Sequence, residues 1–127
     1  MTLIGDYIKH EQEYIKRYGE KTMFLMQCGS FFEVYCCKKN GKFLNNRIVE
    51  FSQVCEMRIA NKKSKHKNLP VFMSGFPEIQ LEKYVKKLNE AGYTVPVWIQ
   101  EPTNPKIIYC YCLIIKLYKS WVCFNGI

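Results

Sequence analysis

A chain of 127 residues that is 48% hydrophobic and 15% aromatic can bury one core, hardly two, and is too apolar to stay disordered. Its 19 Lys and Arg against 11 Asp and Glu give a formal net charge of +8, which points to a polyanionic partner, nucleic acid first. Met1-Thr2-Leu3-Ile4-Gly5-Asp6 lacks the basic-then-apolar pattern of a signal peptide, and the apolar stretch Ile107 to Leu117 is short for a membrane span and carries Lys116. An intracellular location and no membrane are therefore expected. The seven cysteines are expected as reduced thiols.

In chain order, Asp6 is expected to cap a helix running to Tyr18, with Tyr7, Ile8, Glu11, Tyr14 and Ile15 at helical spacing and Gly19 as its stop. Thr22 to Cys28 reads as a buried strand. A Gly29-Ser30 kink or bulge then leads into a second strand, Phe31 to Tyr35. Asn40-Gly41 signals a hairpin turn. Ile48, Phe51 and Val54 suit a short helix over Asn46 to Val54, and Glu56 to Ala60 reads as a short strand. Asn61-Lys62-Lys63-Ser64-Lys65-His66-Lys67-Asn68 has no periodicity and is expected as a basic loop.

Leu69 to Met73 returns as a strand. Pro77 opens a helix with Leu81, Tyr84, Val85 and Leu88 on one face, and Gly92 ends it. Tyr93 to Gln100 is a strand, with Pro96 arguing for an edge position or a bulge. After Pro102-Thr103-Asn104-Pro105 the pattern changes, and residues 107–127 hold at most one last strand around Ile108 to Ile115. The alternation of elements predicts an α/β (α+β) fold, a mixed β-sheet flanked by helices.

Side chains alternate along a strand, so Phe31 and Glu33 are expected on one face and Phe32 and Val34 on the other. An aromatic ring one pleat from a carboxylate, on a basic protein, suits a wedge between bases and a test of a base edge. The plainer alternative is a core Phe31 and a surface Glu33 balancing Lys38 or Lys39. Lys62, Lys63, Lys65 and Lys67 of the basic loop and Lys38, Lys39 and Lys42 of the hairpin are candidate phosphate contacts, with Ser30 and Asn61 as further donors. No catalytic or metal residue is expected. Cys36-Cys37 and Cys110-x-Cys112 lack zinc-site spacing, His10 and His66 lie far from them, and Gly41-Lys42 is not a phosphate-binding loop.

Gly29-Ser30-Phe31-Phe32-Glu33-Val34-Tyr35 resembles the G-D-F-Y-E-L-F segment in the amino-terminal domain of the MutS DNA mismatch-repair family, with Ser30 where that family usually has Asp. Leu69-Pro70-Val71-Phe72-Met73-Ser74-Gly75-Phe76-Pro77 resembles its I-P-M-A-G-I-P segment. Tyr84 to Leu88, Gly92-Tyr93-Thr94-Val95 and Gln100-Glu101-Pro102 follow its helix, its turn and its E-Q strand end, in the right order. The likeness runs from Asp6 to Lys106, so residues 1–106 are read as a mismatch-recognition domain and 107–127 as an atypical tail, a last strand or non-family sequence such as a truncated or frameshifted gene would add. The family's D-I-T-L-T-K-R stretch is reduced here to its basic end in Cys55 to Lys63, and its strand beyond Lys106 is absent.

The resemblance implies that Phe31 and Glu33 contact a mispaired base in double-stranded DNA. It also implies other MutS domains or a second MutS subunit as partners. ATP and Mg²⁺ are implied only for full-length members, so no cofactor and no ATPase activity are expected of this chain. Two rivals stand beside this reading. One is a basic nuclease, which needs a carboxylate cluster although Glu50, Glu56 and Glu101 fall in different segments. The other is a decayed or structural remnant with only non-specific DNA binding.

Overall fold

The structure is a computed structural model that describes residues 3–99, 107–111 and 122–125. Its elements are α1 (Leu3–Tyr18), β1 (Leu25–Cys28), β2 (Phe31–Lys39), β3 (Lys42–Phe43), α2 (Arg47–Cys55), β4 (Ala60–His66), β5 (Leu69–Pro77), a short 3-10 turn (Glu78–Gln80), α3 (Leu81–Glu90), β6 (Val95–Ile99), β7 (Ile107–Tyr111) and β8 (Val122–Asn125). Among the described residues the strands form one mixed sheet ordered β4-β5-β2-β1-β6-β7-β8, with β3 paired to β2 off this path. Only β1 and β6 run parallel, and α2 and α3 lie on the chain between them, as a parallel pair requires. The predicted mixed sheet flanked by helices is the fold found.

β2 lies inside the sheet and divides the core by its pleat. Phe32 faces Phe76 of β5 at 6.0 Å between ring centroids, and Phe76 in turn meets Phe51 of α2 at 6.1 Å and Tyr84 of α3 at 4.7 Å. Tyr35, on the opposite pleat, meets Tyr7 of α1 edge-on at 5.2 Å. So α2 and α3 cover the Phe32 face, and α1 covers the other face where Tyr35 stands. Toward Phe31 no helix of the described residues covers that second face, and this opening is the site described below.

Several expectations are corrected. α1 begins at Leu3, which puts Asp6 within its first turn, where it favours the positive helix end rather than capping it. Glu56 is the left-handed cap of α2 (φ 56°) and β4 starts only at Ala60, so no strand spans Glu56 to Ala60. The expected basic loop is in large part the edge strand β4, closed by a two-residue turn with Lys67 and Asn68 at φ 50° and 66°. Lysines on an exposed edge oppose pairing with another chain, which is why a strand here reads as a loop.

Pro96 is neither at an edge nor in a bulge. β6 has β1 on one side and β7 on the other, and its register with β7 runs unbroken from Val95 opposite Tyr111 to Ile99 opposite Ile107. The register with β1 starts at Val97, just beyond the residue that lacks an N–H. Past the prolines, β7 pairs with β6 and β8 with β7, two short strands where a single one was expected; residues 112–121 lie outside the described residues. No helix among the described residues is long and apolar enough to cross a membrane.

Candidate nucleic-acid interface

The sharp β1–β2 turn decides where Phe31 goes. Gly29 takes φ 61°, a conformation that costs a side-chain-bearing residue energy, and it reverses the chain so that Cys28 pairs with Phe31. Phe31 is therefore the first residue of β2, opposite Pro77 at the end of β5. It is 45% exposed, whereas Phe32 beside it is 3% exposed. The turn is tied down on both sides. The Glu78 amide donates to the Ser30 carbonyl at 2.7 Å, and Gln27 Nε2 donates to Gly29 O at 3.1 Å and to Glu78 Oε2 at 2.6 Å. Ile79, one residue beyond Glu78, is 90% exposed, so the tip shows two large apolar side chains to solvent.

Glu33 does lie on Phe31's face, but it is not a surface residue. It is 6% exposed, and its partner is neither Lys38 nor Lys39. The Tyr35 hydroxyl donates to Glu33 Oε1, and Lys62 Nζ stands 3.7 Å from the same oxygen. Burial, reinforced by the neighbouring Glu33 carboxylate, pushes the Tyr35 hydroxyl far above its ordinary pKa, so Tyr35 remains a donor. Gly75 pairs with Glu33 across the ladder, and a Cβ there would fall 2.4 Å from Phe32 O and 3.0 Å from Glu33 Cγ. A side chain at position 75 would therefore force the β2 backbone at Phe32 and the stem of Glu33 to shift.

Between Phe31 and β4 runs an open groove of about 440 Å³, with Glu33 in its wall and Met57, Arg58 and Met73 around it. Arg58 is exposed on a well-held backbone: its carbonyl accepts from buried Ser74 Oγ at 2.7 Å, and the preceding Met57 is bonded to Ser52 through both its amide and its carbonyl. A guanidinium presents a rigid fork of donors suited to phosphate or a base edge. Sequence reasoning missed Arg58, Gly75, Tyr35 and Ile79. Tyr35, Arg58 and Gly75 fall in family-like segments, but only the fold shows what each touches; Ile79 carried no signal.

The expected phosphate contacts are divided by the fold. Lys62 sits at Glu33. Lys63 takes φ 58° in a bulge where its amide donates to Asn61 Oδ1 at 2.7 Å, so the Asn61 carbonyl oxygen serves the backbone. Lys38, Lys39 and Lys42 lie at the other end of β2, eight residue steps or about 26 Å from Phe31. Lys65 and Lys67 join them, because β4 and β5 turn back at that same end. Lys38 Nζ lies over the rings of Phe43 at 4.8 Å and Phe72 at 4.5 Å. Ser30 remains in the tip, its carbonyl engaged by Glu78.

Cys28, Cys36, Cys37 and Cys55 are free thiols, and burial raises the thiol pKa of Cys36, Cys37 and Cys55, the last to about 12. Among the described residues no three His, Cys, Asp or Glu side chains gather as a metal site would need. Glu50 accepts from the Tyr93 hydroxyl at 2.5 Å and Glu56 borders the groove; Glu101 lies outside the described residues.

Residues 10–107 match the family model described as MutS domain I. A protein described as a DNA mismatch repair MutS homologue, from Acanthamoeba polyphaga mimivirus, is 27% identical over 107 residues, which is 84% of this chain and 10% of that protein. The chain thus spans about a tenth of the length of the curated relative it matches. With the family match extending over most of its length and across every strand from β1 to β6, the chain belongs to the MutS domain I family.

Proposed function

We propose that the chain binds duplex DNA and recognises mispaired or unpaired bases, Phe31 entering the minor groove as a wedge while Glu33 tests the base edge it exposes. The observation that carries this reading is the contrast along β2: Phe31 is half-exposed at a tied-down tip, and every residue from Phe32 to Cys37 is buried. An apolar ring held out by a rigid turn gains from leaving water, and a base step is a flat apolar surface that receives it. Unstacking that step costs a few kcal/mol. The cost is smaller where pairing is already defective, so the wedge turns weak pairing into affinity.

Glu33 works in the opposite sense. A carboxylate brought near phosphates weakens binding to paired DNA, and a free base edge that donates a hydrogen bond relieves this, so its contribution is discrimination rather than affinity. The basic character of the chain supplies the attraction on which both act. Base probing in this scheme uses side chains alone. ATP, Mg²⁺ and further MutS domains or a second subunit belong to the proposal only as partners of a longer family member.

The test is competition binding of wild type and Phe31→Ala to a matched duplex, a G·T duplex and a duplex with one unpaired base. Wild type is expected to favour the two defective duplexes, and Phe31→Ala to bind all three alike while keeping its melting temperature. Equal wild-type affinity for all three would leave only the non-specific binding of a remnant and would overturn the proposal.

A further inference from the structure

We infer that Lys62 is the counter-ion of Glu33 rather than a phosphate contact, and that this pair sets how strongly fully paired DNA is rejected; the inference rests on the reading of Glu33 given above. A carboxylate that has lost its water is unstable without compensating donors. Glu33 has two, the Tyr35 hydroxyl and the Lys62 ammonium at 3.7 Å, and the ammonium also lies 5.4 Å above the Tyr35 ring. The three side chains therefore form one cluster, in which Tyr35 carries both the hydrogen bond and the face on which the lysine rests.

The backbone is built to deliver Lys62 there. The β4–β5 register passes from Asn61 opposite Phe72 to Lys65 opposite Pro70, so residues 62–64 of β4 face the single residue 71 of β5. Alternation from Ala60 puts Lys62 on the groove face, and the bulge beginning at it frees it from the regular ladder. From there its ammonium reaches across β5 to Glu33 and the Tyr35 ring on β2, two strands away. Glu56 and Arg58 border the same groove but neither pairs with Glu33.

Two consequences follow. While the pair is intact, an approaching phosphate meets a nearly neutral cluster, and the Glu33 penalty on matched DNA is muted. A mispaired base that donates to Glu33 takes over part of the lysine's role and leaves the ammonium free to turn toward the backbone. Removing Lys62 should then harm matched binding more than mismatched binding, whereas loss of a plain phosphate contact harms both alike.

The experiment is a double-mutant cycle, Lys62→Met with Glu33→Gln, on matched and G·T duplexes, with Lys62→Arg as the conservative variant. Lys62→Met is expected to weaken matched binding about tenfold, the size of one uncompensated charge beside a polyanion, and to raise mismatch preference about threefold. In the Glu33→Gln background it should leave the preference unchanged, and Lys62→Arg should behave as wild type. In the DNA-free protein, the Lys62 ammonium resonance should be protected from solvent exchange and lose that protection in Glu33→Gln. Equal weakening on both duplexes in both backgrounds, with a salt slope shallower by about one, would make Lys62 a phosphate contact and overturn the inference. A wild type without mismatch preference would instead bear on the reading of the tip, since coupling on matched DNA and the ammonium signal still decide the pair.

Discussion

The two ends of β2 are built on opposite principles. At the Phe31 end the backbone is tied through Ser30, Gln27 and Glu78, two large apolar side chains, Phe31 and Ile79, stand exposed with Arg58 beside the groove, and the neighbouring carboxylate is buried. At the Lys39 end two tight turns, Asn40-Gly41 and Lys67-Asn68, bring lysines of both hairpins together, and α1 with its buried Glu11 lies beneath. Apolar shape dominates the first end, and lysine charge the second. If the chain binds DNA as proposed, this separation lets affinity and selectivity be changed independently, because charge acts over a Debye length and stacking only on contact.

The largest effect that would sharpen the contrast lies within one residue pair of the tip. Phe32→Ala empties a packed site against Phe76 and should cost about 3–5 kcal/mol in thermal or chemical melts. Phe31→Ala, half in solvent already, should cost no more than about 1 kcal/mol while abolishing mismatch preference. Equal destabilisation by the two would mean that Phe31 is a core residue.

The next effect belongs to the ground under the lysine end. Burial raises the Glu11 carboxyl from 4.5 to about 7, against the opposing pull of the Tyr7 hydroxyl bond, Arg47 and Asn45, with the buried Cys36 thiol close by. The folded chain therefore holds this proton over a range in which the unfolded chain has released it. Stability should fall as pH rises from about 4.5 through about 7, by roughly 3 kcal/mol, and level off above. Glu11→Gln should flatten that decline. A denaturation midpoint in the variant that still falls with pH over this range would assign the titration elsewhere.

Smaller again is the expected effect of Glu33 on paired DNA. Glu33→Ala removes a negative charge and releases Lys62, so matched binding should strengthen by about 1 kcal/mol at low salt, less at high salt. Preference for G·T should fall toward one, with Glu33→Gln retaining part of it. If Glu33→Ala weakens both duplexes equally, the tip has no discriminating carboxylate. The smallest changes should come from single lysines of the far end. Lys39→Ala and Lys65→Ala should each flatten the salt dependence by about 0.9 per lost phosphate contact, equally on both duplexes. A change in mismatch preference from either would show that the two ends are not separable.

Periodicity and turn chemistry alone determined α1, β1, β2 with its Asn40-Gly41 hairpin, α2, α3, and which face of β2 carries Phe32, because each rests on spacing within a few residues. Motif order also pointed to the family and to Phe31. Long-range pairing decided the rest. Asn61 to Asn68 reads as a loop because lysines hide strand propensity, and only the ladder with β5 makes it an edge strand with a bulge. Pro96 reads as an edge residue because one strand's sequence does not say what lies on either side of it. Glu33 reads as exposed because alternation assigns a face, not what covers it. Its burial depends on Lys62, Tyr35 and the missing side chain of Gly75, contributed by three different strands that meet only once the sheet has formed.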